Sequence, residues 1–230
     1  MVKSSEAFHA GLTPGAVVDA AVDLTLGSHL FAWSMRDLAR RLDVAPSVIY
    51  HHVGGKDRLC RSVVERVIGR LEVPPQSQGW QPWFRTLLYE AGPLIMAYPG
   101  VAKWMLMHGP AIPQAMPIIA TGMNKLSEGG FTERATFAYS ALLNNAMLTI
   151  SLGDDRLQHE GDGARDHAAI MAELAALPTA PDEVRTFERD FLGPSAQGGA
   201  AAARVRESYY RYVVDTTIAG LAAQLAAIPR

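Results

Sequence analysis

Residues 34–59 read SMRDLARRLDVAPSVIYHHVGGKDRL, and the organisation of the whole chain follows from how this stretch is placed. Ser34 is suited to cap a helix in which Met35, Leu38, Ala39 and Leu42 recur at i, i+3, i+4 and i+7, one buried stripe. Asp43-Val44-Ala45 make a short connection, and Pro46 opens a second helix, because a first-turn proline gives up no hydrogen bond. Ile49 and Val53, four apart, turn this helix inward beside Val44. Ser47, Val48, Tyr50, His51 and His52 then face outward, and Gly54-Gly55 stops the helix before Lys56 starts another. Two short helices joined by a tight turn, the second exposing polar and aromatic groups, form a helix-turn-helix.

Such a helix fits a DNA major groove, and its free N-terminal N–H groups suit phosphate. Tyr50, His52 and Lys56 are candidates for phosphate oxygens, which set register without reading sequence. Ser47, Val48 and His51 are candidates for base edges, with Val48 able to touch a thymine methyl, and Arg36 can reach a phosphate or a guanine. The net charge of the chain is -2, so a nucleic-acid site has to be local. Locally the balance is basic: Arg36, Arg40, Arg41, Lys56, Arg58 and Arg61 stand against Asp37, Asp43 and Asp57.

The stretch resembles the DNA-binding segment of the TetR family of transcriptional regulators. The likeness rests on Arg36, Leu38, Ala39, Val44, Ile49, Tyr50, His52, Val53, Lys56 and Leu59, with a preceding helix adding support back to about residue 12. Asp43 stands where that family more often has glycine, and Gly54-Gly55 is more flexible than its usual polar pair. Farther on, YPGVAKWMLMHGP and LSEGGFTERATFAYSALL are similar in layout to the ligand-binding domain of the tetracycline-repressor branch. The resemblance implies an all-helical second domain that pairs with its twin through a four-helix bundle and encloses a small-molecule pocket.

The rest of the chain is compatible with that plan. A 49% hydrophobic content with 19% charge supports a substantial core. The single cysteine, Cys60, excludes an internal disulfide and fits a reducing compartment. No apolar leader opens the sequence and no run of eighteen apolar residues occurs, so a cytoplasmic protein without a membrane partner is expected. Thr13-Pro14 reads as the cap and first turn of helix one, whose inner face carries Val17, Ala21 and Leu24. Helical periods dominate throughout and no strand is expected. The fold class is therefore all-α: a three-helix DNA-binding domain over 1–55, a connecting helix over 56–72, and a larger helical ligand-binding and dimerisation domain over 73–230. EVPPQSQGWQP (72–82) is the linker candidate, Thr132 the cap of a helix running to Leu152, and Ala201–Ala227 the final helix. The faces of those last two helices, the final one bearing Val205, Tyr209, Tyr212, Val213, Ile218, Leu221 and Leu225, are assigned to a homodimer interface. A dimer would set two reading helices one DNA turn apart on a palindromic operator.

Candidate ligand contacts crowd the middle of the chain: Trp83, Met96, Trp104, Met105, His108 and Met123, with Asn144 and Asn145 as amides that are costly to bury unpaired. They suggest a pocket for a small apolar or aromatic effector, with no cofactor and no bound metal. The competing class is a helical enzyme or metal-binding protein in which the helix-turn-helix is incidental. Adjacent His51 and His52 cannot share one metal from a helix, no His-Glu-x-x-His occurs, and Cys60 has no ordering base nearby in sequence. The acidic, histidine-bearing stretch at 152–167 lacks cation-loop spacing and reads as a connection. An enzyme is not expected.

Overall fold

A computed structural model describes residues 12–157, 173, 176, 181–197 and 199–227, which hold helices and no strand. The acidic, histidine-bearing stretch at 152–167 lies outside the described residues from 158 onward. Three helices form the amino-terminal unit: α1 (Pro14–Leu26), α2 (Met35–Arg41) and α3 (Pro46–Val53). Then come α4 (Lys56–Ile68), α5 (Trp80–Met96), α6 (Val101–His108), α7 (Met116–Glu128) and α8 (Ala135–Leu157). After the undescribed stretch, α9 (Asp182–Phe187) runs through a π-turn at Glu188–Leu192 into α10 (Gly193–Gln197) and α11 (Gly199–Ala226). No described helix is long and apolar enough to cross a membrane.

Local chemistry explains the first elements. Thr13 accepts from Ala16 N–H at 3.1 Å with Pro14 in the first turn of α1. Ser34 and Asp37 close a reciprocal capping box on α2, the carboxylate taking Ser34 N–H at 2.8 Å and Ser34 Oγ taking Asp37 N–H at 3.2 Å. Those hydrogen bonds from Ser34, with Arg40 beside it, hold the Asp37 carboxyl below the usual carboxylate range. Asp43 adopts φ 52°, the left-handed conformation that a glycine would take without strain. Gly54 ends α3 at φ 75°.

The three helices close on Val17, Ala21, Leu38, Ala39 and Ile49, all buried. Trp33 seals the α1–α2 corner: its indole N–H donates to Thr25 Oγ1 at 3.0 Å, and that hydroxyl donates to the Ala21 carbonyl at 2.9 Å. α4 lays Leu59, Val63 and Val67 against α1 and continues the same core towards α5.

Three expectations shift in the second unit. Trp80, Gln81 and Pro82 open α5 instead of ending a linker, because Trp80 buries edge-on against Phe131 and a first-turn proline costs no hydrogen bond. Thr132 does not cap the long helix. α7 closes with Gly130 at φ 99°, Phe131 N–H donates back to the Leu126 carbonyl at 3.0 Å, and Thr132–Arg134 make a 3-10 turn before α8 starts. In α11 the inner stripe is Tyr210, Val214 and Ile218, while Tyr209 and Tyr212 lie outside. This helix has two apolar faces, and packing on α5 and α8 takes only one. The seam with α5 is pinned where Asp215 accepts from Arg85 Nε at 2.8 Å and from Tyr89 hydroxyl at 2.7 Å.

Candidate nucleic-acid interface and effector cavity

The reading helix is placed as its sequence requires. Ile49 is the buried residue of α3, so the rest of the helix is free to face solvent. Ser47, Tyr50 and His51 are exposed, Val48 and His52 half-buried, and Arg36 is exposed at the start of α2. At the start of α3, Ala45 supplies no side-chain acceptor, Pro46 has no N–H and the Val48 N–H donates to the Ala45 carbonyl at 3.0 Å, which leaves the Ser47 N–H as the donor an anion could meet there. His51 and His52 meet edge-on near the end of the helix, with ring centroids 5.7 Å apart.

Lys56 is placed differently from the other candidates. Its ammonium turns towards the α1–α2 loop, donating to the Leu30 carbonyl at 3.0 Å and the Trp33 carbonyl at 2.8 Å and lying over the Trp33 ring. It thereby ties the first turn of α4 to the loop that supports α2. Burial pushes its pKa down to about 8 from 10.5. Between those two values the unfolded chain holds a proton that the folded one has released. Stability associated with Lys56 therefore rises with pH through that window, and the cost of burying the charge is fully present below it. Cys60, whose thiol is pushed up by burial, titrates with the opposite sign, so the informative quantity is a difference between variants. The urea midpoint of wild type minus that of Lys56→Met is expected to increase from pH 8 to pH 10. A flat difference would remove the burial argument.

The ligand candidates divide. Trp83 is wholly buried in the core, with its indole N–H on the Pro74 carbonyl at 3.1 Å. Trp104 and Met105 are buried in α6, and Met123 packs against the core from α7. His108 is exposed, stacked on Trp104 with its Nδ1 on that residue's carbonyl oxygen at 3.0 Å. Asn144 is exposed on α8, and Asn145 donates to Thr217 Oγ1 of α11 at 3.2 Å. Met96 alone of the eight lines the large cavity, of about 560 Å³, which opens between α5, α8, α10 and α11.

Tyr89, Met96, Phe191 and Tyr209 wall this cavity, and Arg206 from α11 and Gly153 from α8 complete it. Arg206 pairs with the buried Asp154 carboxylate and donates to the Ile150 carbonyl at 3.2 Å. This pair was not expected from the sequence, although a signal was present. Met147, Ile150 and Asp154 share one face of α8, and Arg206, Tyr210, Val214 and Ile218 share one face of α11. Each puts a charge at the end of a buried apolar stripe.

A chain that presents α3 on a compact three-helix unit, joined through α4 to a larger helical unit holding a drug-sized cavity, has the architecture of helix-turn-helix regulators of the TetR type and is similar to them in sequence. No family model matches the chain, and the likeness is carried by individual relatives. An HTH-type transcriptional regulator of Saccharopolyspora erythraea is 25% identical over 166 residues, 72% of this chain and 70% of the relative. The class D tetracycline repressor protein of Escherichia coli is 26% identical over 178 residues, 76% of this chain and 75% of its own. Among solved structures, apo ActR of Streptomyces coelicolor is similar in fold, with a TM-score of 0.65 at 24% identity over 94% of this chain and 98% of its own. ActR in complex with actinorhodin gives 0.63 at 24% identity, over 92% and 99%.

Proposed function

We propose that the protein is a homodimeric cytoplasmic repressor, without catalytic activity, that leaves a palindromic operator when a small apolar or aromatic molecule enters the second unit. The observation that carries the reading is α3. Its one buried residue, Ile49, seats the helix, and exposed Ser47, Tyr50 and His51 are left for DNA. Arg36, Ser47, Val48 and His51 are assigned to bases or adjacent phosphates, and Tyr50 and His52 to the phosphate clamp. Lys56, with two of its three donors used internally, braces the clamp from behind and keeps one donor for a phosphate. The domain division at 55 and 72 fits this arrangement, with α4 as the connecting helix.

The dimer reading is supported by large apolar groups left outside on neighbouring helices: Phe137 and Leu148 on α8 and Tyr212 on α11, the first 76% and the last 67% exposed. Asn144 lies on that same outer face and is reassigned from ligand to the partner helix. Thr216, Ala219, Gly220 and Ala223 continue the exposed side of α11 with small side chains, which permit close helix approach. The effector reading is supported by the size of the cavity and its aromatic walls, and by ActR, a protein of similar fold solved with actinorhodin.

The test is binding to DNA from just upstream of the protein's own gene and to a random-site library, at two salt concentrations. Specific binding that falls steeply with salt is expected. Tyr50→Phe should weaken binding to all sequences alike, whereas Ser47→Ala or His51→Ala should change sequence preference by about 1–3 kcal/mol for each base-edge interaction removed. Absence of specific binding to either DNA would end the regulator reading.

A further inference from the structure

Arg206 is held on one side and unsatisfied on another. One of its terminal nitrogens serves Asp154 and Ile150, while its Nε–H is buried with no acceptor among the described residues. A buried donor left without a partner requires a reason. Gly153 is part of that reason. A Cβ there would come within 2.6 Å of Nε, so the absence of a side chain is what lets the guanidinium sit at the cavity wall. The other charges lining the cavity, Arg211 and Glu207, neutralise each other at 2.8 Å. Among the described lining residues, Arg206 is thus the cation with a buried donor left unsatisfied, set among Tyr89, Phe191 and Tyr209.

We propose that the cavity takes an aromatic molecule bearing an anionic oxygen group, a carboxylate or its equivalent, that binds Arg206 and takes it from Asp154. The inference rests on the reading of this cavity as the effector site and gives that effector a chemical class. It also says why the anion matters. Asp154 accepts, besides Arg206, the Gly100 N–H at 3.0 Å, and so anchors the start of α6. Gly100 lies directly against the His29 ring, and the neighbouring Pro99 carbonyl accepts the Leu30 N–H at 2.8 Å. The carbonyl of Leu30 is one of the two that hold Lys56. An acid that competes for Arg206 therefore acts on the junction carrying the helix-turn-helix, whereas a neutral ligand of the same shape leaves Asp154 paired. The ligand shifts the equilibrium only through this difference between the paired and released states.

Two probes of nearly one shape separate the cases: 1-anilinonaphthalene-8-sulfonate, an aromatic anion, and N-phenyl-1-naphthylamine, its neutral counterpart, each followed by fluorescence on the full chain. Wild type should bind the anion about tenfold or more tightly than the neutral probe, the range expected for a hydrogen bond to a charged group. Arg206→Met should abolish that preference and leave the neutral probe within about twofold. Asp154→Asn keeps an acceptor for Gly100 and frees the guanidinium, so it should tighten the anion severalfold, which a purely structural ion pair would not do. At equal occupancy the anion should release specific DNA from wild type and the neutral probe should not. Equal affinity of the two probes for wild type overturns the proposal whatever the variants do. So does parallel weakening of both probes by Arg206→Met, or equal release of DNA by both. The probe titrations need no DNA, so a chain that selects the anion yet binds no operator would sink the regulator reading alone.

Discussion

Ile49→Ala should destabilise the amino-terminal unit by about 2–5 kcal/mol, the range for truncating a fully buried isoleucine. Specific DNA binding should fall by tenfold or more, with the larger helical unit still folded. Ile49 is wholly buried and is the residue through which α3 joins the core between α1 and α2. Val44 and Val53 are only half-buried and cannot replace it. The loss should appear as an early thermal transition carrying a minor share of the helix signal, because α1, α2 and α3 together are shorter than the helices of the larger unit. Ser47→Ala is the control: exposed on the same helix, it should leave stability within about 0.5 kcal/mol while altering base preference. If Ile49→Ala binds the same DNA with unchanged affinity and salt dependence, α3 is not the reading element.

Gly92→Ala is the second large expected effect, a loss of about 1–3 kcal/mol from overpacking the α5–α11 seam. A Cβ at Gly92 would run into the Tyr210 ring. That ring is held in place because its hydroxyl donates to the Leu88 carbonyl at 2.7 Å, one turn earlier on α5. Burial pushes the phenol far above its ordinary range, so the group remains a neutral donor at any usable pH. Tyr210 also lines the cavity, so the displaced ring should intrude there and weaken binding of the fluorescent probes. Tyr210→Leu shortens the side chain and makes room. The double variant Gly92→Ala, Tyr210→Leu should therefore be more stable than the sum of the single effects predicts, by about 1 kcal/mol or more. Strict additivity would show that the two sites do not meet.

The helix-turn-helix was legible in the sequence because its determinants are local. Thr13 and Ser34 cap, Pro14 and Pro46 open, and Gly54 stops, each through bonds within a few residues. The i, i+4 placement of Ile49 and Val53 decides which side chains face outward. The left-handed conformation of Asp43 was not read from local signals; the family resemblance marked only the position, as one where glycine is commoner.

The cavity was not legible. A tryptophan or methionine suits a packed core and a ligand wall equally well, and sequence position does not distinguish them. Trp83, Trp104 and Met105 went to the interior, and the walls came from Tyr89, Phe191 and Tyr209, distant in the chain. Lys56 shows the same limit. Two loop carbonyls, of Leu30 and Trp33, accept from its ammonium and draw it inward, and no pattern around residue 56 announces them.

The sequence alone thus determined the three amino-terminal helices, their ends and the exposed face of α3, since caps, prolines and the 3.6-residue period act within one or two turns. Only the tertiary structure decided where the cavity lies, that Gly92 must be bare beneath Tyr210, and that Asp154 meets Arg206 across two helices. Those features depend on which helix faces pack together, a choice made by volume and by the pairing of buried polar groups between segments far apart in the chain.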